Sequence, residues 1–67
     1  MRIDRYKLKI ALAENRMPRK ALYENPAYNL PKGTINSVCQ EHNISLATAE
    51  KLAKALNCPI AHLLKRE

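Results

Sequence analysis

Sixty-seven residues with 46% hydrophobic side chains, one glycine, no Phe or Trp and a net charge of +6 predict one small domain spanning residues 1–67. A chain of this length buries too little apolar surface to build a deep catalytic cleft besides its core, so neither a catalytic centre nor a small-molecule site is expected. The charge favours a polyanionic partner and is uneven: positions 1–33 hold eight Lys and Arg against three acids, positions 34–67 four against three.

The Ala- and Leu-rich composition, almost free of aromatic residues, predicts an all-α fold. Asp4 is a good N-cap for a first helix reaching about Asn15, with Leu8, Ala11 and Leu12 inward and Lys7, Lys9 and Glu14 outward. Ile3 and Tyr6 are expected to close one end of the core. Met17-Pro18 breaks that helix, and Pro18 suits the first turn of a second one, Pro18 to about Asn25, which buries Leu22. Pro26 ends it, and the stretch from Asn25 to Pro31 is dense in turn formers. A third helix runs from roughly Pro31 to Gln40, with Ile35 and Val38 as its inward pair. After a loop from Glu41 to Ile44, Ser45 caps a fourth helix from Leu46 to Leu56. Its buried stripe reads Leu46, Ala49, Leu52, Ala53 and Leu56, and Asn57 comes next, where a left-handed residue would stop it. A short fifth helix opens at Pro59 and buries Ile60, Leu63 and Leu64.

No apolar run approaches the roughly 20 residues of a membrane span, and Met1 to Lys9 lacks the apolar centre of a signal peptide. A cytoplasmic location is therefore expected, with Cys39 and Cys58 as reduced thiols. Cys39-x2-His42 and Cys58-x3-His62 have spacings a zinc site could use, but a buried cysteine commonly serves as a small apolar filler, and no metal or cofactor is expected. There is no Gly-rich phosphate loop, no Ser or Cys paired with a base and no carboxylate pair, which argues against an enzyme.

Two stretches carry a resemblance. Leu30-Pro-Lys-Gly-Thr34-Ile35-Asn-Ser-Val38 fits the phrase that opens a recognition helix, and LATAEKLAKALNCPIAHLL, from Leu46 to Leu64, fits the closing helices of such a domain at the right distance. In this order, residues 4–64 resemble a Cro/CI-type (XRE-type, lambda-repressor-like) helix-turn-helix domain. The resemblance implies a compact four- to five-helix fold in which the second and third helices form the helix-turn-helix. Three departures stand out. Leu22 to Leu30 is two residues longer than usual, which places an insertion around Pro26-Ala27-Tyr28. Leu12 and Cys39 occupy positions where many members pair an Arg with a Glu; exchanging both halves of a buried ion pair for apolar groups is neutral or stabilising. Gly33 stands where members often present a base-reading side chain, and Lys32-Gly33 could instead close the turn, with Thr34 as N-cap.

The function the resemblance implies is sequence-specific binding of double-stranded DNA by a small transcriptional regulator, a repressor at home in a phage or other mobile element. Lys32, Asn36 and Ser37 would read bases in the major groove, with Gly33 and Thr34 beside them. Arg19 would grip a phosphate next to Lys20, and Gln40, His42 and Asn43 would hold the backbone across the groove. The basic residues of the first helix are taken as solvating. The sequence ends three residues past Leu64, so a weak homodimer, paired on DNA, is expected to use Ile60, Ala61 and Leu64. The alternative from another class is a protein-interaction adaptor, such as an antitoxin-like or antirepressor module on the same fold.

Overall fold

Asp4 and Ser45 start the two longest helices by accepting backbone N–H groups that have no partner inside the helix. Asp4 Oδ1 accepts from Tyr6 at 2.8 Å and Lys7 at 3.2 Å, and Ser45 Oγ accepts from Thr48 at 3.3 Å. In the computed structural model, which describes residues 1–66, these caps open α1 (Arg5–Glu14) and α4 (Leu46–Ala55). Between them lie α2 (Lys20–Glu24) and α3 (Lys32–Cys39), and 3-10 turns occupy Pro26–Tyr28 and Ile60–His62. Among the described residues there is no strand beyond one antiparallel bridge, Ile3 to Leu64. No helix among them is long and apolar enough to cross a membrane.

The all-α reading holds, with four α-helices. The expected fifth helix is only the Ile60–His62 turn, because the chain beyond it pairs with the N-terminal arm instead of continuing a ladder. Leu63 O accepts from Asp4 N–H at 2.7 Å, and Lys65 N–H donates to Arg2 O at 2.9 Å. α2 is shorter than the expected Pro18 to Asn25: Pro18 and Arg19 form a lead-in turn, and Asn25 is already extended. Its side chain caps the next turn, accepting from Ala27 N–H at 2.9 Å, so the longer α2–α3 connection is taken up by one ordered 3-10 turn.

The core is built from Ile3, Leu22, Ile35, Val38, Leu52, Leu56 and Leu63, all fully buried. Six residues at its edge depart from expectation. Leu46 is 55% exposed because the first turn of α4 extends beyond the core, and Tyr6 is 66% exposed on the outer side of α1. Ile60 and Leu64 are half-buried, Leu63 taking the central place between them. Cys39 and Cys58 are half-buried fillers at the margin, not core residues.

Three helices end the same way without a glycine. Arg16, Glu41 and Asn57 adopt left-handed φ values of 50°, 59° and 52° just after α1, α3 and α4. Each is flanked by the paired backbone bonds that satisfy the last carbonyls; after α1, Arg16 N–H donates to Ala13 O at 3.1 Å and Met17 N–H to Leu12 O at 3.0 Å. A side chain in this region costs roughly 1–2 kcal/mol, which glycine avoids while losing more backbone entropy on folding. Arg16→Gly is therefore expected to raise stability by about 0.5–1 kcal/mol in urea denaturation, and a net loss would contradict the left-handed cap.

The N-terminal arm is held on both sides. Met1 and Ile44 exchange backbone bonds of 3.2 Å and 2.7 Å, Lys7 Nζ donates to Leu64 O at 2.9 Å, and Lys65 Nζ meets Glu41 Oε1 at 2.7 Å. The Lys65 ammonium, with the Arg5 backbone N–H, holds the Glu41 carboxyl below its ordinary value of 4.5. The Lys7 backbone N–H, with that of Tyr6, does the same to Asp4, whose ordinary value is 3.8. Both groups have folded pKa values below their unfolded ones, so their contribution is complete above the unfolded values and is lost as pH falls through the folded ones. The melting temperature should decline below about pH 4, and the decline should be shallower in an Asp4→Asn/Glu41→Gln variant. Identical acid limbs in the two proteins would refute this assignment.

Candidate nucleic-acid interface

Helix α3 has two unlike faces because its apolar residues are spaced to meet α2 and its polar ones fall between. Ile35 and Val38 are fully buried with Leu22 of α2. Lys32, Gly33, Asn36, Ser37 and Gln40 are linked by spacings of three and four residues (32/36/40, 33/36/40 and 33/37/40), which places them on one outward side. Lys32, Gly33, Asn36 and Gln40 are exposed, while Ser37 and Thr34 are half-buried. Thr34 is not the N-cap. Pro31 is, with extended backbone and no side-chain bond, so Lys32 and Gly33 form the first turn of the helix.

Gly33 is the only glycine, yet it lacks a positive φ, and a Cβ there would meet nothing within 4 Å. The fold gives no reason for a glycine at this place. It leaves an open spot on the polar stripe.

Tyr23 is a residue the sequence did not single out. Its ring lies under the Lys32 ammonium, 5.8 Å from ring centroid to Nζ, which ties the first side chain of α3 to α2. Arg19, at the other end of α2, lines a groove with Cys39, the last residue of α3. Two cations thus flank the helix pair, one near each end of α3, and Lys20 is exposed beside Arg19. Leu12 and Cys39 line that same groove, so the two positions noted for their joint replacement do share one space.

The loop after α3 carries His42 and Asn43, both exposed. His42 N–H donates to Ser37 O at 3.0 Å, which fixes the loop to the stripe-bearing helix. Glu41, the acid in this loop, is engaged by Lys65 and the Arg5 N–H. The structure therefore gathers Lys32, Gly33, Asn36, Ser37 and Gln40 on one helix face, places His42 and Asn43 just beyond its end, and leaves Arg19 and Lys20 at the start of α2.

Among the described residues no three His, Cys, Asp or Glu side chains are grouped to hold an ion. Burial, with the charge of Glu14, pushes the Cys58 thiol up, which favours the protonated form over a thiolate ligand.

A family profile described as the Cro/C1-type HTH DNA-binding domain matches residues 7–67. No curated protein and no solved structure matches the chain significantly. The profile spans nearly the whole chain, so the chain belongs to the Cro/C1-type HTH DNA-binding domain family.

Proposed function

We propose that this protein binds a specific double-stranded DNA site with α3 in the major groove and acts as a small transcriptional regulator, repressing by occupying an operator. The observation that carries the reading is the division of α3: its apolar face is spent on the core, and its exposed face is uncharged or cationic throughout. Lys32 donates to the O6/N7 edge of a guanine, Asn36 pairs with the N6/N7 edge of an adenine, and Ser37 reads a neighbouring base. Gly33 leaves room for close approach of a base pair, and Thr34 packs beneath it. Arg19, with Lys20, grips a phosphate on one side, and Gln40, His42 and Asn43 hold the backbone on the other.

Selection of bound sequences from a random duplex library tests the whole reading, since it reports binding, motif and symmetry together. Affinity for the selected site should fall steeply between about 50 and 200 mM salt, as phosphate-dominated binding does. The adaptor alternative, in which this surface meets a protein, predicts no enriched motif and little salt dependence.

One domain reads few base pairs, so pairing on a two-fold site is part of the proposal. Ala61 is exposed and Ile60 and Leu64 are half-buried, an apolar patch too small for a tight dimer. Ultracentrifugation should find monomers in dilute solution and two chains on a palindromic duplex; one chain per asymmetric site would refute the pairing.

A further inference from the structure

Beside the α3 stripe, a groove of about 820 Å3 lies between α1 and the end of α3. Its floor is apolar: the half-buried Met17 and Cys39 lie over the nearly fully buried Leu8 and Leu12. Its rim carries three exposed cations, Arg5, Lys9 and Arg19, and no carboxylate among the described residues lines it. The Arg5 guanidinium lies over the exposed Tyr6 ring, 5.3 Å from its centroid, so a flat cation and an aromatic ring stand together at the opening.

Floor and rim select jointly. A phosphate backbone would satisfy the rim and leave the apolar floor unfilled. A second copy of this chain would bring its own charge of +6 and, in a two-fold contact, set the three cations against themselves. A segment bearing carboxylates next to leucine-like side chains matches both, through charge-assisted hydrogen bonds at the rim and burial on the floor. We propose that the groove between α1 and α3 receives an acidic, leucine-bearing segment of another protein, and that its occupation excludes DNA because both ligands use Arg19. The exclusion rests on the phosphate-binding reading of Arg19; the docking does not. Linkage makes the antagonism reciprocal, so DNA must weaken the segment by the same factor.

The probe is a short fluorescein-labelled amphipathic peptide of Glu and Leu, with one control carrying Lys for Glu and another Ala for Leu. Anisotropy titrations should show the Glu/Leu peptide bound and each control weaker by about tenfold or more. An Arg5→Gln/Lys9→Gln variant, checked for folding by circular dichroism, should lose about tenfold as well. Lys51→Gln/Lys54→Gln, an equal loss of charge from exposed positions of α4, should lose little. Methyl NMR signals of Leu8, Leu12 and Met17 should shift on binding. The peptide should also displace a library-selected duplex from the protein.

No binding, equal losses in the two variants, or no shift at those methyls would overturn the docking. An Arg5→Gln/Lys9→Gln variant that loses DNA as strongly as Arg19→Ala would do so too, because the groove would then be part of the DNA footprint. Peptide binding without displacement of the duplex would overturn the exclusion. Peptide binding by a protein that binds no duplex at all would uphold the groove and sink the DNA-binding reading.

Discussion

Lys32→Ala is expected to weaken binding to the selected site by about 1–3 kcal/mol and to relax the preference at one base position. Lys32 opens the exposed stripe of α3, and the Tyr23 ring lies beside its ammonium on the α2 side. The substitution leaves the core untouched and should not shift the melting temperature appreciably. Arg19→Ala provides the contrast. A phosphate contact carries no sequence information, so its loss should lower affinity on cognate and scrambled duplexes alike and reduce the salt slope by about 1. Tyr23→Leu, which keeps an apolar side chain on α2 but removes the ring face, should weaken binding less than Lys32→Ala. Titration of each variant against both duplexes at two salt concentrations is the measurement. Unchanged affinity in both Lys32→Ala and Arg19→Ala would remove the basis for docking α3 in the groove.

Ile35→Ala should cost about 2–5 kcal/mol, from lost burial together with the cavity left behind. Ile35 is fully buried between α2 and α3, and a core this small rarely supplies more than about 3–5 kcal/mol in total, so much of the protein should be unfolded at physiological temperature. DNA binding would fail with it, although the Ile35 side chain is not itself a proposed DNA contact. Ser37→Ala, two residues further on the helix and only half-buried, should by comparison leave stability within about 0.5 kcal/mol. Urea denaturation of the two variants separates these outcomes. A loss below about 1 kcal/mol at Ile35 would mean that the inward face of α3 is not committed to the core.

Much of the fold was legible in the residues because it depends on local chemistry. Asp4 and Ser45 announce helix starts by their ability to accept backbone N–H groups, and both do so. Leu8, Leu12, Leu22, Ile35, Val38 and Leu52 recur at helical spacing and are buried. Asn57 tolerates the left-handed region, and it ends α4 there. The outward stripe of α3 comes from the same spacing, since fixing Ile35 and Val38 inward leaves Lys32, Asn36 and Gln40 no other side.

Features that the residues could not show depend on how helices cross and where neighbours end. Leu46 fits the apolar stripe of α4 by spacing, but spacing does not say that the core stops one turn short of it. Arg16 and Glu41 enter the left-handed region with no glycine to mark the place, because backbone pairing at the helix ends and, for Glu41, bonds to Lys65 and Arg5 outweigh the local penalty. The meeting of Tyr23 with Lys32 is set by the packing of α2 on α3 and the ordered turn that joins them, nine positions apart in the chain. The same holds for the groove: along the sequence Arg5 and Lys9 read as solvating charges of the first helix and Arg19 as a separate phosphate contact, and only the packing of α1 against α3 lines them up along one apolar floor. Local propensity is a property of a few consecutive residues, whereas a surface is made by elements distant in the chain, and its composition exists only once they have packed.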